Sequence, residues 1–164
     1  PATKGYTPSV FSMMPRVLER SGMAEKGSIT GIYSVLVEAD DFGEPVSDAV
    51  RGVLDGHIVL SRTLAQRNQY PAVDVLASIS RLTPYIVDEE HRRAIDLLKQ
   101  VLAHYGSVED LIQIGAYVKG SDGKVDWALE RIEQVNEYLR QGMFEGYGFQ
   151  ESRERLLEMF RDEL

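Results

Sequence analysis

The run from Ser28 to Val37 constrains the fold more than any other part of this 164-residue sequence. It reads Ser-Ile-Thr-Gly-Ile-Tyr-Ser-Val-Leu-Val, so apolar and β-branched residues follow one another almost without interruption. A strand with one solvated face alternates apolar and polar residues, whereas a parallel strand covered on both faces is apolar nearly throughout. We therefore predict a buried strand of a parallel sheet, followed by an acidic turn that ends at Pro45.

Helices and a second strand surround this run. Thr7 and Pro8 supply an N-cap and a first-turn proline for a helix that ends before Gly22. The pattern also predicts a short helix over 47–54 and a short strand over 56–62. Two strands and two helices are too few to cover both faces of a parallel sheet, so we expect neighbouring strands from upstream sequence or from another chain.

The pattern changes at Pro84 from alternating helix and strand to helices alone. Apolar residues then recur at helical spacing in three stripes: Ile95, Leu98, Val101, Leu102 and Tyr105; Ala128, Ile132, Val135 and Leu139; Leu156, Leu157 and Phe160. Gly106 and Gly142, which tolerate the left-handed terminal conformation, are predicted to end two of these helices. The sequence therefore predicts an α/β part over 1–83 and an all-α bundle over 84–164, mainly helical overall.

Charge also differs between these two parts. The net charge of −8 divides into −1 through Thr83 and −7 from Pro84 onward. Binding to a nucleic-acid backbone requires clustered Lys and Arg, so the acidic balance argues against a nucleic-acid partner. Two interpretations of the acidic part stay open, a solvated face and a docking surface for a basic partner.

Composition and length exclude further classes. The chain has no Cys, which removes disulfides, thiolate metal sites and a cysteine nucleophile, and suits a reducing compartment. No apolar run approaches the roughly 20 residues that a transmembrane helix needs. Because the chain begins at Pro1 without a basic and apolar leader, we interpret it as part of a longer or processed chain.

Motifs that would carry chemistry are sparse. The histidines stand in three different predicted elements without close His or Cys companions, which predicts no zinc site: His57, His91 and His104. The segment from Gly115 to Ser121 spaces two glycines as a phosphate-binding loop does, but Ser121 stands where that loop needs lysine. We interpret this segment as a turn between two helices.

Acidic residues cluster where the predicted strand ends: Glu38, Asp40, Asp41 and Glu44. Their spacing lacks the alternating Asp ladder that binds calcium. They form either a solvated loop or, at the carboxyl end of a parallel strand, a contact to a ligand or partner. Arg81 lies just before the predicted boundary, where it could reach across to an anion, although most arginines in such positions form surface or interface pairs.

Several unusual blocks occur in one order along the chain. In the first part they are Gly5 to Phe11, Gly27 to Thr30, Ala39 to Pro45, Leu54 to Arg62, Tyr70 to Asp74 and Ser78 to Arg81. Asp110 to Tyr117 and Tyr138 to Gly142 add a looser match in the second part. Together these blocks resemble the flagellum-specific ATPase of type III protein export, a relative of the catalytic subunits of rotary ATP synthases. Asp48 to Gly52 looks more like the flagellar branch than the virulence-injectisome branch.

The resemblance implies an architecture. Residues 1–83 would be the C-terminal part of a RecA-like nucleotide-binding domain with a few parallel strands, and residues 84–164 its C-terminal helical domain. The family's Walker A loop, catalytic glutamate and Walker B strand would precede Pro1. ATP with Mg²⁺ is what the intact enzyme would use, and we expect the chain alone neither to bind nor to hydrolyse ATP.

The resemblance also implies roles for individual residues. Arg81, the last residue of Ser-Ile-Ser-Arg, matches an arginine finger that stabilises γ-phosphate charge in a neighbouring subunit's site. Tyr70 matches the aromatic residue that packs on adenine, and Phe149 falls near a second adenine-flanking aromatic. Asp41 and Glu44 match a loop that touches the central stalk in rotary relatives.

The implied partners follow from the same family. They are further copies in a homo-hexamer, a coiled-coil central stalk protein, a peripheral-stalk-like regulator, and the export gate, chaperones and export substrates. The turn from Gly115 to Asp126 resembles the tip of the helical domain that pushes against the stalk. The implied location is the cytoplasm, with peripheral association at the inner face of the membrane. Two alternatives stay open, a non-catalytic protein-interaction module and the virulence-injectisome paralogue.

Overall fold

A computed structural model describes residues 6–37 and 43–164 of the chain. The chain divides into two compact units, Pro1–His57 and Ile58–Leu164. No helix among the described residues combines the length and the apolar composition needed to cross a membrane.

The first unit contains two helices and a short hairpin. Helix α1 covers Pro8–Leu18 and helix α2 covers Pro45–Val53, and the two pack against each other. Strands β1, Gly22–Met23, and β2, Ser28–Ile29, pair antiparallel, with Gly22 opposite Ile29. An apolar cavity of about 200 Å³ is lined by residues of the two helices: Val10, Met13, Met14, Val17, Leu18 and Val50.

The predicted buried strand over 28–37 is wrong for most of its length. Only Ser28–Ile29 has strand pairing, and the side chains of Ile32 and Leu36 are 95% and 94% exposed. An extended segment needs a neighbour for its backbone hydrogen bonds, and an apolar strand needs cover on both faces. Among the described residues, no strand pairs with residues 30–37. That upstream sequence or another chain supplies the neighbouring strands stays a prediction.

The second unit begins with a two-stranded sheet. Strands β3, Gly56–Leu60, and β4, Val73–Ser80, are hydrogen-bonded neighbours, with helix α3, Arg62–Gln66, between them in sequence. Ser61 caps α3, because its hydroxyl accepts a hydrogen bond from the Leu64 backbone N–H at 3.3 Å. The helix predicted over 47–54 and the strand predicted over 56–62 are therefore present with bounds shifted by one or two residues.

Six helices follow β4. They are α4, Thr83–Ile86; α5, Glu89–Gly106; α6, Glu109–Gln113; α7, Gly123–Leu129; α8, Ile132–Leu139; and α9, Phe149–Met159. Helix α5 contacts α7, α8 and α9 and forms the centre of the bundle. The buried core consists of residues from all four helices and the turn after α9: Ala94, Leu98, Val101, Ala128, Ile132, Val135, Leu156 and Phe160.

The three predicted apolar stripes are confirmed, since each supplies core residues and the remaining members pack around that core. The fold class, an α/β part followed by a helical bundle, is confirmed as well. The predicted helix end at Gly106 is confirmed, since α5 ends there, whereas α8 ends at Leu139, before Gly142. Neither glycine has a positive φ, and the left-handed glycines of this part are Gly115 and Gly120, at φ +69° and +93°.

Candidate functional site

Arg81 is placed by the end of strand β4. The strand ends at Ser80, and Arg81 is the next residue, before the short helix α4 begins at Thr83. The side chain is exposed, and in the described part of the chain no hydrogen bond or ion pair engages its guanidinium. A permanently charged, forked group that its own chain leaves unpaired is free to bind an external anion.

Tyr70 lies at the other end of the same strand, before Pro71, with which it forms a cis peptide bond. Its side chain is 51% exposed. The Tyr70 carbonyl accepts a hydrogen bond of 2.8 Å from the backbone N–H of Gln141. This bond brings the segment after α8 next to Tyr70, so residues about 70 positions apart in sequence meet at one surface.

The segment after α8 forms the aromatic loop, residues 140–148, which ends at the start of α9. Its first half is a closed turn: the Gly142 N–H donates to the Glu145 carboxylate at 2.8 Å, and the Glu145 N–H donates to the Gly142 carbonyl at 3.1 Å. The Gln141 side-chain amide also donates to the Glu145 carbonyl. The two residues enclosed by this turn, Met143 and Phe144, are almost fully exposed.

Phe149 begins helix α9 and is largely exposed. Its ring lies against the buried ring of His91, with 6.0 Å between the ring centroids. Within the range that the structure describes, no ring contact joins Phe149 to Tyr70. The structure therefore places the aromatic loop, rather than Phe149, in hydrogen-bond contact with Tyr70.

A charged cluster fixes α9 to the start of α5. Asp88 caps α5 by accepting a 2.8 Å hydrogen bond from the His91 N–H, and Arg153 of α9 donates to the other Asp88 oxygen at 2.6 Å. Glu90 lies 3.9 Å from the same guanidinium. The His91 N–H, followed by Arg153, lowers the pKa of Asp88 below its ordinary value. The cluster stabilises the helix pair that carries Phe149.

A second arginine of α9 is held by aromatic rings. The Arg155 guanidinium lies 4.4 Å from the ring centroid of Tyr147 and 5.7 Å from that of Tyr138. Burial raises the pKa of Tyr138, and the positive charge of Arg155 acts in the opposite direction. Tyr147 belongs to the aromatic loop, so this stack joins the loop to α8 and α9.

The residues matched to a stalk-contacting loop lie in the first unit. Asp41 is outside the described residues. Glu44 is described: it is the N-cap residue of α2, and only 5% of it is exposed. In this conformation the Glu44 side chain is not presented to solvent.

The turn between α6 and α7 has a fixed shape, as its interpretation as a helix-to-helix connection predicts. The Asp126 carboxylate accepts hydrogen bonds from the Tyr117 hydroxyl at 2.9 Å and from the Gly120 N–H at 2.7 Å. Asp122 caps α7 through the Lys124 N–H at 2.8 Å. The turn exposes the apolar side chains of Ile114 and Val118. These contacts fix a turn that connects two helices and leaves two apolar side chains in solvent.

Metal coordination finds no support in the described residues. No group of three or more His, Cys, Asp or Glu side chains among residues 6–37 and 43–164 could hold a metal ion.

Two family models match nearly all of the chain. The ATP synthase alpha/beta family, nucleotide-binding domain, matches residues 1–80, and the T3SS EscN ATPase C-terminal domain matches residues 87–158. The chain belongs to the family of flagellar and type 3 secretion ATPases. Arg81 lies just after the range that matches the nucleotide-binding domain. The aromatic loop lies within the range that matches the C-terminal domain.

Curated relatives from both branches of the family are similar to the chain. It is 51% identical over 158 residues to the flagellum-specific ATP synthase of Pseudomonas aeruginosa, covering 95% of this chain and 35% of the relative. It is 52% identical over 143 residues to the SPI-2 type 3 secretion system ATPase of Salmonella typhimurium, covering 87% of this chain and 33% of the relative. The chain thus spans about a third of the length of these relatives. Their identities do not separate the two branches.

Two solved structures share the fold. The assembled ATPase EscN from the enteropathogenic Escherichia coli type III secretion system matches with a TM-score of 0.90 at 42% identity, over 94% of this chain and 38% of that chain. EscN in complex with its central stalk EscO matches with a TM-score of 0.83 at 41% identity, over 94% and 36%. The identification from sequence blocks as a relative of export ATPases is therefore confirmed.

Sequence patterns did not reveal all the residues that form this surface. Gln141 belongs to a block that supported the family resemblance, but nothing in that block indicates its bond to the Tyr70 carbonyl. Arg155 is one of several charged residues on α9, and its two tyrosine partners lie 8 and 17 positions before it. Such contacts depend on how α8, the aromatic loop and α9 pack, which no short motif encodes.

Proposed function

We propose that this chain is the C-terminal part of a protein-export ATPase of the flagellar branch. It would supply an arginine finger, a base-side nucleotide contact and a partner-facing helical domain. The observation that carries this proposal is Arg81, which stands exposed and unpaired at the end of β4 in a chain whose first 80 residues match a nucleotide-binding domain. We also propose that a domain boundary follows Thr83.

In this mechanism Arg81 projects into the nucleotide site of a neighbouring subunit. Its guanidinium donates two hydrogen bonds to γ-phosphate oxygens and stabilises the charge that develops during phosphoryl transfer to water. This interaction stabilises the transition state more than the bound nucleotide, because the ground-state nucleotide is bound mainly by groups of its own subunit. Assembly is therefore required, and we propose a homo-hexamer.

Arg81→Ala in the full-length protein tests this role. ATP hydrolysis should fall by about 10³-fold or more, while ATP affinity changes little. Arg81→Lys should recover only a small part of the rate, since an ammonium cannot fork onto two phosphate oxygens. Arg92→Ala, an exposed arginine on α5, is the matched control and should retain activity. Equal losses of binding and turnover in Arg81→Ala would remove the residue from this role.

Tyr70 is proposed to pack on the adenine ring of the subunit's own nucleotide. Half of its side chain is accessible, and its backbone is anchored by Gln141, so the ring is available for stacking. Tyr70→Ala should raise the ATP dissociation constant by roughly tenfold, and Tyr70→Phe should not. Isothermal titration with ATP measures both values. An unchanged affinity in Tyr70→Ala would assign the ring to packing alone. Phe149 is proposed as a weaker base-side contact.

The proposal extends to partners and location. The assembled EscN and its complex with a central stalk support a coiled-coil stalk partner for this chain, contacted by the turn from Gly115 to Asp126 and by Asp41. A peripheral-stalk-like regulator, an export gate, chaperones and export substrates complete the proposed machinery, in the cytoplasm at the inner face of the membrane. The Mg²⁺–ATP site itself would be completed by residues outside this chain.

ATP turnover separates this proposal from a non-catalytic interaction module. The 164-residue chain should not hydrolyse ATP, and the full-length protein should, with specific activity rising as subunits assemble. Assays over a range of protein concentrations measure both. A full-length protein without ATPase activity would favour the interaction module, and gene neighbourhood would separate the flagellar protein from the injectisome paralogue.

A further inference from the structure

The aromatic loop, residues 140–148, lies between Tyr70 and helix α9, and the Arg155 guanidinium lies over the ring of Tyr147 in this loop. We propose that Arg155 is a positioning residue that holds this loop beside Tyr70 and thereby sets the affinity of the base-side nucleotide site without touching the nucleotide. This inference rests on the proposed base contact of Tyr70.

The Arg155 guanidinium lies against two aromatic rings, that of Tyr147 in the aromatic loop and that of Tyr138 in α8. The distances of 4.4 Å to the Tyr147 centroid and 5.7 Å to the Tyr138 centroid are within the ~6 Å over which a cation is attracted to a ring face. The Tyr138 hydroxyl donates to the Ser152 carbonyl at 3.1 Å, so that ring is itself fixed to α9. Arg155 therefore links Tyr147, near the end of the loop, to the packed helices α8 and α9.

The described carboxylates near Arg155 do not form ion pairs with its guanidinium. Glu137, Glu154 and Glu158 line the same groove of about 440 Å³ between α8 and α9. Among the residues that the structure describes, none of these carboxylates forms an ion pair with Arg155. The two rings, rather than an ion pair, thus determine where the guanidinium lies. Because a guanidinium is planar, this arrangement also fixes the orientation of the Tyr147 ring.

The other end of the loop is joined to Tyr70. The Gln141 N–H donates to the Tyr70 carbonyl at 2.8 Å, and the bonds between Gly142 and Glu145 close the turn that follows. The closed turn thus has the bond to Tyr70 on one side, and the Tyr147 ring against Arg155 follows it on the other. Loss of the Arg155 contact removes one of the side-chain contacts that, beside the covalent links to α8 and α9, restrain the turn.

Hydrogen exchange tests the holding role independently of catalysis. In the full-length protein that contains this chain, Arg155→Ala should raise the exchange rates of the Gln141 and Gly142 amides by roughly fivefold, because the loop opens more often. Arg161→Ala removes a highly exposed arginine just beyond α9 and should leave both rates unchanged. Unchanged exchange in Arg155→Ala would overturn the holding role.

Nucleotide kinetics test the consequence. Arg155→Ala should raise the KM for ATP by about three- to tenfold with kcat nearly constant. Inhibition by tripolyphosphate, which has no base, should not change. Tyr147→Phe keeps the ring and should behave as the wild type, whereas Tyr147→Ala should reproduce Arg155→Ala. If Arg155→Ala fails to fold, Tyr147→Ala in the exposed loop carries the test.

Tyr70→Ala separates failure of this inference from failure of the proposed function. If Tyr70→Ala raises the KM for ATP and neither Arg155→Ala nor Tyr147→Ala does, the positioning role is wrong and the base contact stands. If Tyr70→Ala leaves the KM unchanged, the base contact is wrong, and the effect of Arg155 on affinity is wrong with it. A parallel loss of tripolyphosphate binding in Arg155→Ala would also overturn the inference, since it would indicate general damage to the site.

Discussion

The segment over residues 30–37 and helix α5 are both rich in apolar residues, but they end in opposite environments. Ala94, Leu98 and Val101 of α5 are buried in the bundle core, whereas Ile32 and Leu36 are almost fully exposed. A helix satisfies its backbone hydrogen bonds within itself and needs only one face covered. An apolar strand needs hydrogen-bonding neighbours and cover on two faces. Apolar content therefore produces a core only where the chain also supplies the partners.

The largest effect expected from this comparison is on stability. Phe160→Ala empties a fully buried site in the bundle core and should lower the free energy of unfolding by about 3–5 kcal/mol. Leu36→Ala removes a side chain that contacts mainly solvent and should change it by less than about 0.5 kcal/mol. Urea unfolding of the two variants measures the difference. Comparable losses would mean that residue 36 is buried in solution and that the two regions do not differ.

Two glycines sharpen the comparison within the helical part. Gly115 has φ +69°, so Gly115→Ala should cost about 1 kcal/mol of stability through backbone strain. Gly106 is the last residue of α5 and has open space around a substituted Cβ, so Gly106→Ala should be neutral or slightly stabilising. Thermal unfolding of the pair compares them. A destabilised Gly106→Ala would indicate that α5 ends in a left-handed residue after all.

The smallest effect concerns the charged cap of α5. The His91 N–H and Arg153 lower the pKa of Asp88 below its ordinary value of 3.8 in the folded chain. The cap therefore contributes stability above about pH 3.8, and that contribution is lost as the pH falls through the lower, folded-state value. Asp88→Asn keeps a capping oxygen but cannot titrate, so its urea midpoint should fall less steeply in acid than that of the wild type. Equal acid sensitivity would assign the pH dependence to other carboxylates.

The elements predicted from local periodicity were the most accurate. The stripes containing Leu98, Val135 and Phe160 all reach the core, because amphipathic spacing requires only that some partner cover one face. Helix ends were harder: glycine alone indicated Gly106 and Gly142, while the left-handed turns fell at Gly115 and Gly120. Glycine permits a positive φ but does not require one, and the packing of the following segment decides which glycine adopts it.

The residues of the candidate site also divide into those that the sequence indicated and those that it did not. Arg81 and Tyr70 could be selected from sequence because each stands in a distinctive block, and both are accessible in the structure. Glu44 was selected for its place in an acidic cluster, yet it is buried at the start of α2. Gln141 and Arg155 received no role from sequence. Gln141 bonds to a residue about 70 positions away, and Arg155 contacts a ring in the preceding loop, so helical periodicity indicates neither contact.

The sequence by itself determined the family, the change from α/β to helical structure, and the faces of the helices that become buried, since blocks and periodicity are local properties of the chain. Only the tertiary structure decided that residues 30–37 stay exposed, that Asp126 closes the turn between α6 and α7, and that the aromatic loop meets Tyr70. These features depend on which distant groups come within hydrogen-bond or stacking distance. That outcome follows from the packing of whole helices and strands, because each contact gains its energy only after the chain has paid the entropy of bringing the segments together.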